Sequence, residues 1–316
     1  MTDNGYKKNI ALLRDNMGSV VFGKPEVIKM CVAGLLARGN ILIEDVPGIG
    51  KTTLAHTLAK SVDCTFARIQ FTSDLLPSDI IGVPVFDRKG LSFEFKHGPI
   101  FANVVLADEI NRTTPKTQSA LLEAMNDHQV SVDNVTYRLP EPFIVLATQN
   151  PIEYEGTYPL PESQLDRFAL RIKIGYPPEQ DEIRLLKRED SLHPVDHLEP
   201  VLTGEKVVEL QRLVESVIVD ESIIDYIMKI VSSTRIHEAI ELGISPRGSL
   251  HFYQMVRSRA LVEGRDYVIP DDVKALAVPV LAHRIVLKSR RAPLGRVSEE
   301  AEQVVTEIVD SVAVPL

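Results

Sequence analysis

The sequence predicts a doubly wound α/β domain on a parallel sheet, followed by a smaller all-helical domain. Three observations predict it. Five apolar runs, Ile41–Glu44, Phe66–Phe71, Val104–Ala107, Phe143–Ala147 and Phe168–Ile174, are mostly continuous rather than alternating, as strands covered on both faces must be. Helical periodicity fills two of the gaps between them, at Lys51–Lys60 and Pro115–Asn126. Beyond Tyr176-Pro177-Pro178 the strand pattern stops: residues 178–190 read as helix, Leu192–Pro200 as a linker, and from Thr203 onward only helical periodicity remains. The expected division is therefore 1–190 and 191–316, in keeping with a chain of 316 residues.

The remaining elements follow in order. Residues 6–21 place Ile10, Leu13, Met17 and Val20 on one stripe of a helix. Pro25 suits the first position of a second helix, which Gly39 ends. Two stretches interrupt the α/β alternation. Val85 to Phe95 reads as a hairpin with a charged turn at Asp87-Arg88-Lys89-Gly90, and Val130 to Tyr137 as another with Asp133-Asn134 at its tip. Repeats and low-complexity tracts are absent from the sequence.

Composition narrows the class. A hydrophobic fraction of 44% supports a sizeable core. The net charge of −9 argues against non-specific nucleic-acid binding as the main task. Cys31 and Cys64 sit in apolar or helical surroundings and read as buried free thiols, which fits a reducing cytoplasm. The first residues lack the apolar core of a signal peptide, and no apolar run approaches the ~18 residues of a membrane span.

The most informative stretch is Glu44-Asp45-Val46-Pro47-Gly48-Ile49-Gly50-Lys51-Thr52-Thr53, between a strand and a helix. Glycine lets the backbone N–H groups around Gly48 and Gly50 point into one concavity and lets a phosphate approach closely. The helix that follows offers its unpaired N–H groups and positive dipole end. Lys51 supplies a point charge for β- and γ-phosphates, and the Thr52 hydroxyl can ligate Mg²⁺. The general pattern G-x-x-x-x-G-K-[ST] has glycine where this chain has Asp45, which can hold the turn through its own backbone hydrogen bonds.

Two other strand ends carry chemistry. Val104 to Ala107 runs into Asp108 and Glu109; beside a phosphate loop, Asp108 would hold Mg²⁺ through water and Glu109 would orient and deprotonate the attacking water. Ala147-Thr148-Gln149-Asn150 ends another strand, and the Asn150 amide can bond both a γ-phosphate and that water, or simply cap the turn before Pro151. Arg167 and Arg247 are each able to neutralise a transferred phosphoryl group, with Arg112 a weaker candidate; as isolated residues they read as surface charges or local salt bridges. His193 and His197 have the spacing of a metal pair, but Pro194 between them favours a linker.

Asp45 to Thr53, Leu106-Ala107-Asp108-Glu109-Ile110-Asn111-Arg112, Gln118 to Met125, Ala147-Thr148-Gln149-Asn150-Pro151 and Leu165-Asp166-Arg167-Phe168 together resemble the MoxR family of AAA+ ATPases, over about residues 8–290. The aspartate at position 45 is usual in that family. The resemblance implies a phosphate-loop AAA+ fold and Mg-dependent ATP hydrolysis. By it, Asp45, Val46, Pro47, Gly48, Ile49, Gly50, Lys51, Thr52 and Thr53 form the Walker A loop around ATP, and Asp108 and Glu109 the Walker B pair. Thr52 and Asp108 would serve Mg²⁺. Asn150 resembles sensor 1, Arg167 the arginine finger and Arg247 the sensor 2 arginine. It also implies a homo-oligomeric ring, usually a hexamer, and chaperone-like remodelling of partner proteins, often with a von Willebrand factor A-domain protein. Two rivals stand beside it. A nucleotide-gated binding module would use slow hydrolysis only as a timer, and the presence of both Glu109 and Arg167 counts against that. A phosphate-loop kinase would need an acceptor, and the Asp108-Glu109 pair suits hydrolysis better.

Overall fold

The computed structural model describes residues 3–89, 91–133, 135–150, 157–187, 194–288 and 294–315. The chain opens with α1 (Asp3–Gly18), α2 (Pro25–Leu36), β1 (Ile41–Glu44), α3 (Lys51–Ser61), β2 (Phe66–Gln70) and α4 (Pro77–Ile81). It continues through β3 (Gly82–Asp87), β4 (Ser92–His97), β5 (Val104–Asp108), α5 (Pro115–Asp127), β6 (Gln129–Val132), β7 (Val135–Arg138), β8 (Ile144–Gln149), α6 (Glu162–Leu165), β9 (Leu170–Ile172) and α7 (Glu179–Leu186). The last part comprises α8 (Gly204–Val214), α9 (Glu221–Ile236), β10 (Ile240–Leu242), α10 (Pro246–Val262), α11 (Pro270–Leu281), β11 (Val286–Leu287) and α12 (Leu294–Ser311).

The five apolar runs form one parallel sheet in the order β2-β5-β8-β1-β9. Every residue of β1 and of β8 is buried, which is why those runs do not alternate. Ile41, Ile43, Leu106 and Leu146 face a core shared with α1 to α3 and the helices beyond residue 200. Leu42, Val105, Ala107 and Val145 face the opposite core, with Leu121, Leu122 and Met125 of α5. The registers Gln70↔Asp108, Ala107↔Ala147 and Glu44↔Gln149 align the carboxyl ends of four strands, where an open α/β sheet binds its ligand.

The two expected hairpins are present. β3 and β4 pair with Phe86 opposite Phe93, and β6 and β7 with Val132 opposite Val135. The Phe95 ring stacks on Tyr137 at 4.3 Å and makes an edge contact with Phe101 at 6.0 Å, so the bases of the two hairpins are joined.

Beyond residue 200 the structure is helical, but the expectation of no strand there is corrected by β10 and β11, a short antiparallel ladder. Two- and three-residue strands leave no periodic trace in a sequence. The helices dock through α10 onto α2, where the Ser258 hydroxyl donates to the Ala33 carbonyl at 2.7 Å, and through α8, where the Gln211 amide donates to the Leu35 carbonyl at 2.8 Å. The apolar core runs without a break from α1 to α12. α12 is also tied to the sheet by charge: buried Arg171 donates to Glu44 at 3.0 Å, to Ser298 at 2.6 Å and to Glu302 at 2.8 Å. Cys31 and Cys64 are free, and burial pushes their thiols up to about 12 and about 11. His193, Pro151 and the last residues of the expected 178–190 helix lie outside the described residues.

Candidate active site at the carboxyl edge of the sheet

The loop between β1 and α3 has the geometry its composition demands. Gly48 and Gly50 adopt φ of +84° and +91°, and a Cβ added at either would meet nothing within 4 Å. Their requirement is therefore conformational: they bend the chain into a left-handed turn and leave the space in front of it open. Gly50 caps α3, so the helix dipole and its first N–H groups face that space. The Lys51 ammonium donates to the Asp45 carbonyl, which folds the side chain back along the loop.

Asp45 does more than hold its own turn. Its Oδ1 accepts from the Val46 N–H at 2.8 Å, as the sequence suggested. Its Oδ2 accepts from the N–H groups of Ile174 and Gly175, at 2.8 and 2.7 Å, in the segment that leaves β9. One carboxylate thus fixes the loop to the neighbouring strand's exit. Asp45→Asn would turn an amide donor toward at least one of these N–H groups. A loss of about 1–3 kcal/mol in stability is expected, with weaker ATP binding. Thermal unfolding and a nucleotide titration would check it, and unchanged affinity would show that the tie does not shape the loop.

Across the cleft, the Thr148 hydroxyl donates to Asp108 Oδ1 at 2.6 Å and accepts from the Glu109 N–H at 2.8 Å. Glu109 stands at φ 58°, ψ 49°, a left-handed conformation that costs a non-glycine residue on the order of 1–3 kcal/mol. The Thr148 bond helps to hold that strained turn. Two polar residues of β2 complete the array. Arg68 donates to Asp108 Oδ2 from Nε at 3.1 Å and from Nη2 at 2.6 Å, and Gln70 Nε2 donates to Glu109 Oε2 at 2.7 Å. Arg112 reaches the same Glu109 oxygen at 3.2 Å.

These parts enclose a cleft of about 350 Å³, walled by the loop from Pro47 to Thr53 on one side and by Arg68, Gln70, Asp108, Glu109 and Asn150 on the other. The structure thus brings Lys51, Thr52, Asp108, Glu109 and buried Asn150 together. Arg167 and Arg247 do not line it. Arg167 follows α6, with its Nε shielded and without a hydrogen-bond partner, and Arg247 is exposed in the first turn of α10. Arg68 and Gln70 were missed from sequence; their signal was two polar residues at i and i+2 in an otherwise apolar strand. A second cavity of about 310 Å³ shares Gly48, Gly50 and Thr53 and is walled by apolar groups including Val21, Phe22, Ile49 and Ile174.

The donor set fits Mg-nucleotide. Among the described residues no group of three or more His, Cys, Asp or Glu could hold a metal alone. Thr52 and Asp108 both line the cleft, and Mg²⁺ is characteristically held by one or two side-chain oxygens together with substrate phosphates and water.

The fold and the site define an ATPase of the AAA+ class. A family model described as "ATPase family associated with various cellular activities (AAA)" matches residues 40–170, and one for the AAA lid domain matches residues 232–308. The chain is 49% identical over 302 residues to the uncharacterized protein YeaC of Bacillus subtilis, covering 96% of this chain and 93% of that one. It is 41% identical to the chaperone MoxR1 of Mycobacterium tuberculosis, covering 94% of this chain and 80% of that one. A crystal structure from Cytophaga hutchinsonii, described as a candidate ATPase, superposes with a TM-score of 0.90 at 37% identity, covering 99% of this chain and 97% of that one. The chain belongs to the MoxR family of AAA+ ATPases.

Proposed function

We propose that the protein hydrolyses ATP with Mg²⁺ in the 350 Å³ cleft and uses the cycle to remodel a partner protein. The observation that carries the reading is Glu109, held in a strained conformation at the sheet edge, across the cleft from Lys51 and Thr52. Lys51 balances phosphate charge. Thr52 and Asp108 would hold Mg²⁺, which would supply charge neutralisation at the phosphates. Glu109 takes the proton of the attacking water, and Asn150 positions that water. The apolar cavity behind the loop accommodates the base. Arg68 must release Asp108, and Gln70 and Arg112 must yield part of their hold on Glu109, before both acids are free for these roles. Arg167 completes the site of a neighbouring subunit, and Arg247 reaches the nucleotide from the helical part.

The name of the relative MoxR1 supports a chaperone-like role. We take the functional division as residues 1–190 and 191–316, a ring, usually of six, as the working assembly, the cytoplasm as the setting, and a von Willebrand factor A-domain protein as the favoured partner class. No helix among the described residues is long and apolar enough to cross a membrane. Phosphate release measured against Mg²⁺ concentration tests the chemistry: turnover is expected to vanish in excess chelator, and turnover that persists would overturn the metal assignment. Capture of partners by Glu109→Gln with ATP bound tests the output; a variant that retains ATP and captures nothing beyond its own subunits would count against remodelling.

The output surface is the β3–β4 hairpin. Phe86 and Phe93 are 47% and 73% exposed and meet edge to face at 5.3 Å, while Leu91 is 78% exposed. An isolated two-stranded hairpin is marginal in water. Phe95, packed on Tyr137 and Phe101, anchors the base and leaves the outer residues for a partner. Replacing residues 87–90 by a glycine-containing turn is expected to leave ATP binding intact and to weaken partner-stimulated turnover. Loss of nucleotide binding in that variant would mark the hairpin as structural.

A further inference from the structure

Apart from the cleft, a cluster of buried charge and polar groups lies where the helical part meets the turn that carries Arg167. Its centre is Arg284, in the short 3-10 turn Ala282–Arg284 after α11, with a side chain only 1% exposed. Its Nε donates to Asp166 Oδ1 at 3.1 Å. Its remaining nitrogens donate to the carbonyls of Phe168, Val280 and Ala169, the last at 3.3 Å. The Ser245 hydroxyl bridges both oxygens of Asp166, at 3.1 and 2.9 Å, while accepting from the Gly248 N–H at 3.0 Å as the cap of α10. His283 Nε2 lies 3.1 Å from the Phe168 carbonyl. Burial, reinforced by the Arg284 charge, pushes His283 well below its ordinary range and His251 down to about 4, so both rings are neutral near pH 7. With both histidines uncharged, the Asp166 carboxylate is what balances Arg284.

The position of this clamp matters more than its strength. It holds the side chain of the residue before Arg167 and the carbonyl of the residue after it. Arg167 Nε is shielded and has no hydrogen-bond partner, so no bond at that nitrogen fixes the side chain, and a shift of the turn's backbone would carry it along. The other jaw is Ser245-Pro246-Arg247-Gly248, the segment that bears Arg247. A Cβ at Gly248 would lie 2.8 Å from Ile244 Cγ2 and 3.0 Å from Arg284 Cδ, so a larger residue would require the side chains packed there to shift. Within one protomer, the segment that bears Arg247 and the turn that bears Arg167 are therefore joined through Ser245, Asp166 and Arg284.

We propose that Asp166 is a positioning residue that couples the helical lid to Arg167, so that the nucleotide state of one site sets the competence of its neighbour's. The proposal rests on the reading of Arg167 as a finger acting in trans. Asp166→Asn keeps the shape and an acceptor for Ser245 but loses the charge that balances Arg284. It is expected to bind a fluorescent ATP analogue with unchanged affinity and to turn over more slowly, by at most the roughly 10³–10⁵ that such a finger contributes; the parent is expected to depend sigmoidally on ATP, and the variant to lose that dependence. Mixed with Glu109→Gln, which keeps ATP bound but does not hydrolyse it, it should regain activity, because each Asp166→Asn site is then completed by a nucleotide-loaded neighbour whose clamp is intact. A purely structural role would not be rescued in this way. Absence of recovery, with subunit exchange shown by size analysis, overturns the proposal, as does a parallel loss of nucleotide affinity. Ser245→Ala keeps the Asp166–Arg284 pair and carries the same mixing test if Asp166→Asn does not fold. Arg167→Ala mixed in parallel separates the two readings. Recovery there without recovery for Asp166→Asn sinks the clamp alone, and no recovery in either sinks the finger and the clamp with it.

Discussion

Glu109→Gln is expected to retain ATP and to lose turnover by roughly 10²–10⁴, the usual contribution of a positioned general base. The amide keeps the volume of the carboxylate and an oxygen that can still accept from Gln70 Nε2, so the left-handed turn held by Thr148 has no new reason to relax. What it loses is the ability to take a proton. The charge contact with Arg112 also goes, but Arg112 is 42% exposed, so that contact adds little to stability. The melting temperature should therefore stay close to the parent's while phosphate release collapses. Lys51→Ala is the contrasting variant. It removes the charge that faces the phosphates, and binding itself should fail. Labelled-nucleotide binding and phosphate release on both proteins separate the two roles, and parent-rate hydrolysis by Glu109→Gln would show that another group takes the proton.

The parts of this site that were legible in the sequence are those whose physics is local. Gly48 and Gly50 need their neighbours only to make a left-handed turn, and Lys51 and Thr52 follow because the helix starts there. The strands were legible because burial on both faces removes polar residues from the run itself. What escaped depends on partners far apart along the chain. Asp45 was seen to hold its own turn through Val46, but its bonds to Ile174 and Gly175 cross about 130 residues of sequence, and only β1–β9 pairing brings them near. Arg68 and Gln70 acquire meaning only because β2 lies in register beside β5, which sets Gln70 opposite Asp108. Asp166 was visible merely as part of a motif; its partners Ser245 and Arg284 come from the helical part. β10 and β11 escaped for a different reason, being too short for any period to register.

Arg167→Ala is expected to have the largest effect of any substitution that leaves ATP binding intact, because fingers of this kind contribute roughly 10³–10⁵ in rate. Arg167 does not line the cleft of its own chain, and its Nε has no hydrogen-bond partner there. Half-buried and outside its own cleft, Arg167 can serve a site only if that site is completed across a subunit boundary. Activity of the parent protein should therefore rise more steeply than linearly with protein concentration, until assembly is complete. The variant should bind ATP normally and hydrolyse it poorly at every concentration. Mixing Arg167→Ala with Lys51→Ala provides the direct test. The first supplies an intact phosphate loop and the second an intact finger, so every interface that pairs them in that order regains a working site, and a fraction of the activity should return. The opposite order yields a site that lacks both, which caps the recovery well below the parent level. No recovery, despite subunit exchange shown by size analysis, would place the action of Arg167 within its own chain or remove it from the chemistry altogether.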